Sequence, residues 1–258
     1  MGELILCDRM LAAMPYFIEE MSIHVYSLEE LSYYIEHNTC LLTDSFMNRE
    51  LTDWIRSELK KEDLAAGLVK ICENGGSLAE FVELLISQVG YCTKEGRLKI
   101  VKNLREMEQR PPCESVKMRA DWYVENKRYI CGIQEYRKLL QMEEAKQQPV
   151  FLGSVWHNMG TSFARLFLFE EALSCYQNAY RCSQDEMAFH ACANVQKCMG
   201  ISEKLPEEKQ KILKEVSAQD MYRRVDQIFS AENIQAAKKA ARAVLENWKS
   251  DYIKKSRL

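Results

Sequence analysis

Cysteine and histidine are the residue types through which this 258-residue chain could bind a metal or attack a substrate. Their densest cluster consists of Cys182, His190, Cys192 and Cys198. Zinc sites take their ligands in pairs about two to four residues apart at a turn. Cys192 and Cys198 would instead project from different sides of one continuous helix. We therefore predict that this cluster binds no metal.

A nucleophilic mechanism would need a cysteine or serine held beside a histidine. His157 lies within a helical pattern, where its plainest interpretation is a polar residue that lines a groove. The carboxylate pairs Glu29 with Glu30 and Glu170 with Glu171 fit helix starts or solvated helix faces. The sequence contains no GxxxxGK, GxGxxG or HExxH motif, the patterns typical of phosphate loops, dinucleotide sites and zinc proteases. We predict no catalytic residues, no cofactor and no enzymatic activity.

The helices that would position His157 are indicated by the segment 154–180. In its first half, apolar and small residues recur at three-, four- and seven-residue steps, the spacing of one helix face. These residues are Trp156, Met159, Gly160 and Phe163. A second face follows, with Phe169, Ala172, Tyr176 and Ala179. This alternation of large and small residues resembles the tetratricopeptide repeat (TPR), a hairpin of two antiparallel helices.

A degenerate copy of the pattern lies upstream, shifted by forty residues. It consists of Val116, Ala120, Tyr123, Tyr129, Gly132, Tyr136 and Leu139. The family repeat has about 34 residues, so we expect the polar run 143–149 to hold the additional ones. Phe167 stands where the family has a small turn residue, and Gln184 where it often has proline. Downstream, a helical stripe of Phe189, Cys192, Ala193 and Met199 predicts a helix that caps the repeats.

We predict an all-α fold, a helical-hairpin solenoid with a short N-terminal β ribbon. The resemblance implies that the solenoid is a TPR-like right-handed superhelix. The ribbon would pair Glu3–Cys7 with Ile23–Tyr26 around Pro15. The predicted organisation is an extended segment at 1–26, a helical stack at 27–110, TPR-like repeats at 111–203 and capping helices at 204–258.

Helix start signals divide the predicted stack. Ser27 with Glu30, and Ser77 with Glu80, have the spacing of capping boxes. The intervening periodicity predicts helices at 48–59 and 62–73, and further helices run from 77 to about 89 and from 93 to about 109. The last of these ends before the prolines at 111–112, where the chain cannot continue helically.

In the TPR family, the first helices of successive repeats line a groove that receives a peptide or a helix, and the resemblance implies the same face here. On the clear repeat this face would present Ser154, His157, Asn158, Thr161 and Arg165. The upstream repeat would add Lys117, Asp121, Val124 and Glu125. Lys117 and Arg165 could hold a carboxylate, and Asn158 could bond a peptide backbone. The fuller Lys and Asn set of the family's carboxylate clamp is missing, so we predict no chaperone-tail ligand.

The predicted function is a non-catalytic protein–protein interaction module, an adaptor or scaffold whose partner is another protein or a peptide. The alternative is a transcriptional or signalling regulator that contacts DNA through a helix pair within 28–55. The would-be recognition helix of that pair, NRELTDWIRSEL, carries three acids against two arginines. This balance is unfavourable beside phosphates, so binding to nucleic acid is the weaker expectation.

The charge of the chain is uneven. The segment 238–258 holds seven basic residues against two acidic ones, in a chain whose net charge is −3. A basic end on an acidic body could touch nucleic acid or an anionic membrane, although a solvated helix face explains it more simply. The apolar stripe of the last predicted helix, 231–255, would either cover the final repeat or form a homodimer contact.

The ten cysteines and the N-terminus bear on location. No CxxC pair occurs, which favours reduced, buried thiols and a cytoplasmic protein. The opening MGELILCDRM lacks a long apolar run, which predicts no signal peptide. No segment reaches about 18 uninterrupted apolar residues, which predicts no membrane span. The stretch 15–35 resembles the start of uncharacterised bacterial proteins that carry helical repeats, which implies a bacterial setting.

Overall fold

The computed structural model describes residues 11–200 and, beyond them, positions 223, 226, 227, 230 and 239. Within this part of the chain the protein consists of eleven α-helices, two 3-10 turns and one two-stranded sheet. The predicted all-α class with an N-terminal ribbon is therefore confirmed. Apart from the five isolated positions, the capping helices predicted at 204–258 lie outside the described residues. The 231–255 helix and its homodimer contact thus stay predictions.

The elements follow one another with short connections. The strands are β1 (Tyr16–Ile18) and β2 (Ile23–Val25). The helices before the predicted repeats are α1 (Leu28–His37), α2 (Arg49–Ser57), α3 (Glu62–Glu73), α4 (Leu78–Ser87) and α5 (Lys94–Glu108). The remaining helices are α6 (Pro112–Glu125), α7 (Tyr129–Gln141), α8 (Glu143–Lys146), α9 (Pro149–Arg165), α10 (Phe169–Ser183) and α11 (Glu186–Cys198).

The chain divides into two compact units, 1–145 and 146–258, each of which is described by itself. The first unit contains both strands and α1–α7, the second contains α9–α11, and α8 spans the boundary. The boundary falls inside the segment 111–203 that the sequence predicts to be repeats. One of the two predicted hairpins consequently belongs to each unit.

The N-terminal ribbon pairs β1 with β2 in antiparallel register, with Tyr16 opposite Val25 and Ile18 opposite Ile23. The sequence predicted the second strand, and the structure pairs it with Tyr16–Ile18. The other predicted strand, Glu3–Cys7, lies outside the described residues. Pro15 has no amide hydrogen to give to a strand ladder, and it stands immediately before the first residue of β1.

The ribbon is attached to the helices of the first unit at both ends. The indole nitrogen of Trp54 donates to the Met14 carbonyl at 2.8 Å. At the ribbon's turn, the Arg128 guanidinium donates to the Met21 carbonyl at 2.8 Å, and the Tyr123 hydroxyl donates to the Glu20 carbonyl at 3.4 Å. The turn between α6 and α7 therefore carries contacts from residues about a hundred positions earlier in the chain.

Helix starts follow the predicted capping chemistry. The Ser77 hydroxyl accepts from the Glu80 amide, and the Glu80 carboxylate accepts from the Ser77 amide, both at 3.2 Å, so this capping box is complete. Ser27 also caps its helix, but the Glu30 carboxylate accepts from the Tyr26 amide instead of the Ser27 amide. The capping box predicted for Ser27 and Glu30 is therefore only half correct.

One apolar core joins the ribbon and α1–α5 in the first unit. The faces predicted for the two helices at 48–59 and 62–73 are inside it. Their buried members are Leu51, Trp54, Ile55, Leu59, Leu64 and Leu68. Burial of these side chains away from water is the dominant stabilising term for a helical layer of this kind.

The helix α11 departs from the predicted stripe at one residue. Ala188 and Val195 are buried, whereas Phe189 is 58% exposed and its ring lies 6.0 Å from the ring of Tyr180. The predicted stripe through Phe189 and Ala193 is therefore wrong at its first residue. The other members of the predicted stripe, Cys192, Ala193 and Met199, are half-buried.

Candidate functional site

The two hairpins that would form the site share the same turn. The residue after each first helix and its C-cap is left-handed, with φ of 60° at Lys127 and 61° at Phe167. The next amide folds back onto the first helix, from Arg128 to the Tyr123 carbonyl at 2.7 Å and from Leu168 to the Phe163 carbonyl at 3.0 Å. Equivalent bonds recur at the forty-residue shift, which agrees with the upstream copy predicted from the sequence.

Small residues bring the two helices of each hairpin together. A Cβ atom on Gly160 would lie 3.0 Å from the Tyr176 ring and 3.1 Å from the Cys175 Cβ. One on Gly132 would lie 2.7 Å from a Val124 methyl carbon. The approach of α9 to α10 and of α6 to α7 thus requires these glycines, as the large-small alternation predicts. Trp156 and Phe163 pack beside the contact and are buried.

On α6, Lys117 and Asp121 form an ion pair that is only partly open to water. The ammonium lies 2.6 Å from the carboxylate, and the two side chains are 21% and 30% exposed. The hydroxyl of Tyr136, a buried residue of α7, donates to the same carboxylate. The Asp121 charge is therefore held by donors from both helices of the hairpin, and such charge-assisted bonds are stronger than neutral ones.

The same bridge occurs on α9 with neutral groups. The Thr161 hydroxyl donates to the His157 carbonyl at 3.1 Å and lies 3.1 Å from the Tyr176 hydroxyl. Because the single Thr161 hydroxyl hydrogen goes to the carbonyl, the Tyr176 hydroxyl is the donor between the two side chains. Burial raises the pKa of Tyr176 above its ordinary value of 10.0, so this phenol keeps its proton.

His157 lies beside this bridge as a half-buried imidazole. Its ring centroid is 5.1 Å from that of Tyr176. Its Nδ1 atom is buried and finds no hydrogen-bond partner in the described part of the chain. Burial lowers the pKa of His157 below 6.5, and the carboxylate of Asp185 offsets this only in part. The residue is therefore a neutral polar group at neutral pH, with one nitrogen left unpaired.

The other predicted site residues differ in how far they reach into solvent. Ser154 is half-buried and donates to the Phe151 carbonyl at 2.7 Å, within its own helix. Asn158 is half-buried as well. Glu125 and Arg165 end α6 and α9 and are exposed. They occupy equivalent positions with opposite charge, so the two hairpins end in different electrostatic surroundings.

Each unit therefore brings its own predicted site residues onto one first helix. Lys117, Asp121 and Glu125 lie at steps of four along α6, which also carries Val124. The five residues of the clear repeat lie along α9. Sequence analysis missed the hydroxyls of Tyr136 and Tyr176, which it treated as packing residues only. The usable signal was burial itself, because a buried tyrosine hydroxyl almost always has a hydrogen-bond partner.

The helix proposed to read DNA has its cations already paired. Arg56 lies 3.0 Å from the Asp53 carboxylate and 3.1 Å from that of Glu62, and Arg49 lies 3.5 Å from Asp53. Leu51, Trp54 and Ile55 of the same helix are buried. Carboxylates beside both arginines would repel a phosphate backbone, which agrees with the sequence argument against this alternative.

The described cysteines are thiols, with no disulfide joining them to one another. Cys92, Cys113 and Cys175 are buried, but Cys72 and Cys198 are exposed, so the expectation of buried thiols is wrong for these two. Burial raises the pKa of Cys175 well above 9.0, which keeps that thiol neutral and a poor nucleophile.

Within the described residues no group of three His, Cys, Asp or Glu side chains could hold a metal ion. Nor does any helix of residues 11–200 have the length and apolarity needed to cross a bilayer.

Comparison with known proteins adds little. No family model matches the sequence, and no curated protein matches it either. A solved structure of a MamA mutant aligns at 16% identity and a TM-score of 0.32, over 73% of this chain and 95% of that one. A structure of MamA AMB-1 aligns at 14% identity and a TM-score of 0.33, over 74% and 96%. Such low scores carry no argument about function, so the helical-hairpin assignment rests on the bonds and packing described above.

Proposed function

We propose that the protein is a non-catalytic interaction module, an adaptor or scaffold that binds a peptide or a helix of another protein along the first helices α6 and α9. The observation that carries this proposal is the repeated polar bridge. In both hairpins a second-helix tyrosine holds a polar side chain of the first helix, Asp121 in one and Thr161 in the other. The proposed setting is the bacterial cytoplasm.

The bridge supports binding because it fixes polar groups before a ligand arrives. A side chain that already sits in one rotamer loses less entropy when it bonds a partner. Lys117 keeps donors beyond the one it gives to Asp121, since an ammonium has three. The half-buried imidazole of His157 adds a further polar group on α9. Together these groups would recognise the backbone and the charged side chains of an ordered peptide.

The exposed charges at the ends of α6 and α9, Glu125 and Arg165, can be changed to test this proposal. Arg165 would attract an acidic part of the ligand and Glu125 a basic part. Reversing both charges, with Glu125→Arg and Arg165→Glu, leaves the tyrosine bridges and the buried glycine contacts untouched. We expect this double variant to recover less of its specific partners from a lysate of the source cell than the wild type does.

The matched control places a charge on a second helix. Gln134 is exposed on α7, so Gln134→Arg places a new surface charge on a hairpin without touching either first helix. We expect this variant to recover the same partners as the wild type. Circular dichroism and a thermal melt of each variant show whether the fold is kept. Equal recovery by the wild type and the double variant, with both folded, would count against binding along α6 and α9.

A further inference from the structure

A cavity of about 580 Å³ opens in the first unit between β2 and α1, far along the chain from the proposed binding helices. Met21, Ile23 and Val25 give it an apolar wall. Its volume falls within the range of about 300 to 1,000 Å³ that is typical of pockets for small ligands or single anchoring side chains. None of the described residues that line this cavity belongs to α6 or α9.

Two tyrosines form an aromatic corner at the cavity. The ring centroids of Tyr33 and Tyr91 are 6.1 Å apart in an edge-to-face arrangement with 72° between the ring planes, and both rings line the cavity. Tyr33 is 53% exposed, and the His37 imidazole stacks on its ring with 4.1 Å between the ring centroids. This stacking restricts the orientation of the Tyr33 ring. Aromatic faces carry negative charge density and attract cations that lie within about 6 Å of the ring centroid.

The carboxylates that line the cavity belong to Glu29 and Glu30. Glu30 lines the cavity, and its carboxylate is held by the Tyr26 amide at 2.6 Å. Burial and then the nearby negative charge of Glu36 raise the pKa of Tyr91. None of the described residues that line the cavity is a lysine or an arginine. A ligand with a positive group would therefore meet attraction from both the rings and the carboxylates, whereas an anion would meet repulsion.

We propose that this cavity binds an organic cation on an apolar stem, an alkylammonium or guanidinium group whose carbon chain lies against Ile23 and Val25. The same chemistry belongs to a lysine or arginine side chain of a partner peptide and to a free small amine. The site does not depend on the function proposed for α6 and α9, and either could be wrong alone.

The test uses the full-length protein and two pairs of probes in isothermal titration calorimetry. Choline and its carbon isostere dimethylbutanol have the same shape and differ in charge. A capped alanine peptide with one central lysine, and the same peptide with norleucine there, form the second pair. We expect the cationic member of at least one pair to bind and its neutral match to bind more weakly. Binding by choline alone indicates a free amine as ligand, and binding by the lysine peptide indicates a side chain of a partner.

Variants at Tyr33 distinguish the effect of the aromatic ring on cation binding from the effect of side-chain size. Tyr33→Leu keeps an apolar side chain but removes the aromatic face, and we expect the cation to bind about threefold to tenfold more weakly. Tyr33→Phe keeps the face and should bind within about twofold of the wild type. Because the residue is half exposed, both variants should fold, which circular dichroism checks. Equal affinity for a cation and its neutral match, no saturable binding of either cation, or unchanged affinity in folded Tyr33→Leu would each overturn the proposal.

Discussion

At the scale of single residues, Phe167 in the turn between α9 and α10 has a left-handed backbone conformation that favours glycine. Phe167 has φ of 61° and is 79% exposed, so its ring gains little from burial. A left-handed conformation costs an L-residue about 1 to 2 kcal/mol. We expect Phe167→Gly to raise the free energy of unfolding by about 1 kcal/mol in urea titrations. Phe167→Ala keeps the left-handed strain, and a gain no larger for glycine than for alanine would contradict this account.

The imidazole of His157 should make stability depend on pH. Because burial lowers its pKa in the folded protein below 6.5, the unfolded chain takes up the proton more readily. The stabilising effect of the neutral ring is complete above about pH 6.5 and is lost as the pH falls through the folded pKa. We expect the wild type to lose more stability than His157→Gln between about pH 7.5 and about pH 5.5. Urea midpoints at the two pH values measure this, and an equal loss in both proteins would argue against the burial of this ring.

At the scale of the elements, the packing of α9 predicts a large difference between two aromatic residues of the second unit. Trp156 is 6% exposed, whereas Phe189 on α11 is 58% exposed. Trp156→Ala should lower the free energy of unfolding by about 3 to 5 kcal/mol. Phe189→Ala should change it by less than about 0.5 kcal/mol, as for most surface positions. Chemical denaturation of the two variants compares them, and similar losses would mean that Phe189 is buried.

The tyrosine bridges should differ in strength between the hairpins. Tyr136 donates to the carboxylate of Asp121, and Tyr176 to the neutral hydroxyl of Thr161. Hydrogen bonds to charged groups contribute about 1.5 to 3 kcal/mol and neutral ones about 0.5 to 1.5 kcal/mol. We therefore expect Tyr136→Phe to destabilise the protein more than Tyr176→Phe does. Tyr180→Phe, on an exposed ring, serves as the control, and the reverse order would contradict the assigned donors.

Much of this element structure could be predicted, for identifiable reasons. The helix α3 begins and ends at the predicted residues because its apolar period is regular and two glycines follow its C-cap, Asn74. The prediction for α11 was wrong at Phe189 because this residue lies at the edge of the helix face that buries Ala188 and Val195, and periodicity does not say which edge meets a neighbour. The bridges of Tyr136 and Tyr176 were missed because a hydroxyl finds its partner only through the offset between two helices, which the sequence of one helix does not contain.

At the scale of the whole molecule, each compact unit carries one hairpin with a polar first helix, and this is the basis of the proposed binding function. The units also differ. The first has the apolar cavity and its aromatic corner, while the second has the neutral bridge with the unpaired imidazole nitrogen. In the first unit α6 ends in the acidic Glu125, and in the second unit α9 ends in the basic Arg165. A partner that bound either first helix would therefore meet a different charge at its end.

The most direct test of the central claim is site-specific photocrosslinking in the source cell. Benzoylphenylalanine would replace Glu125 or Arg165 on the first helices and, as controls, Gln134 or Tyr180 on the second helices, all of which are exposed. We predict discrete crosslinked bands from 125 and 165 that contain the same partner protein, with none of these bands from 134 and 180. Bands of equal intensity from all four positions, or from the second helices alone, would contradict binding along α6 and α9.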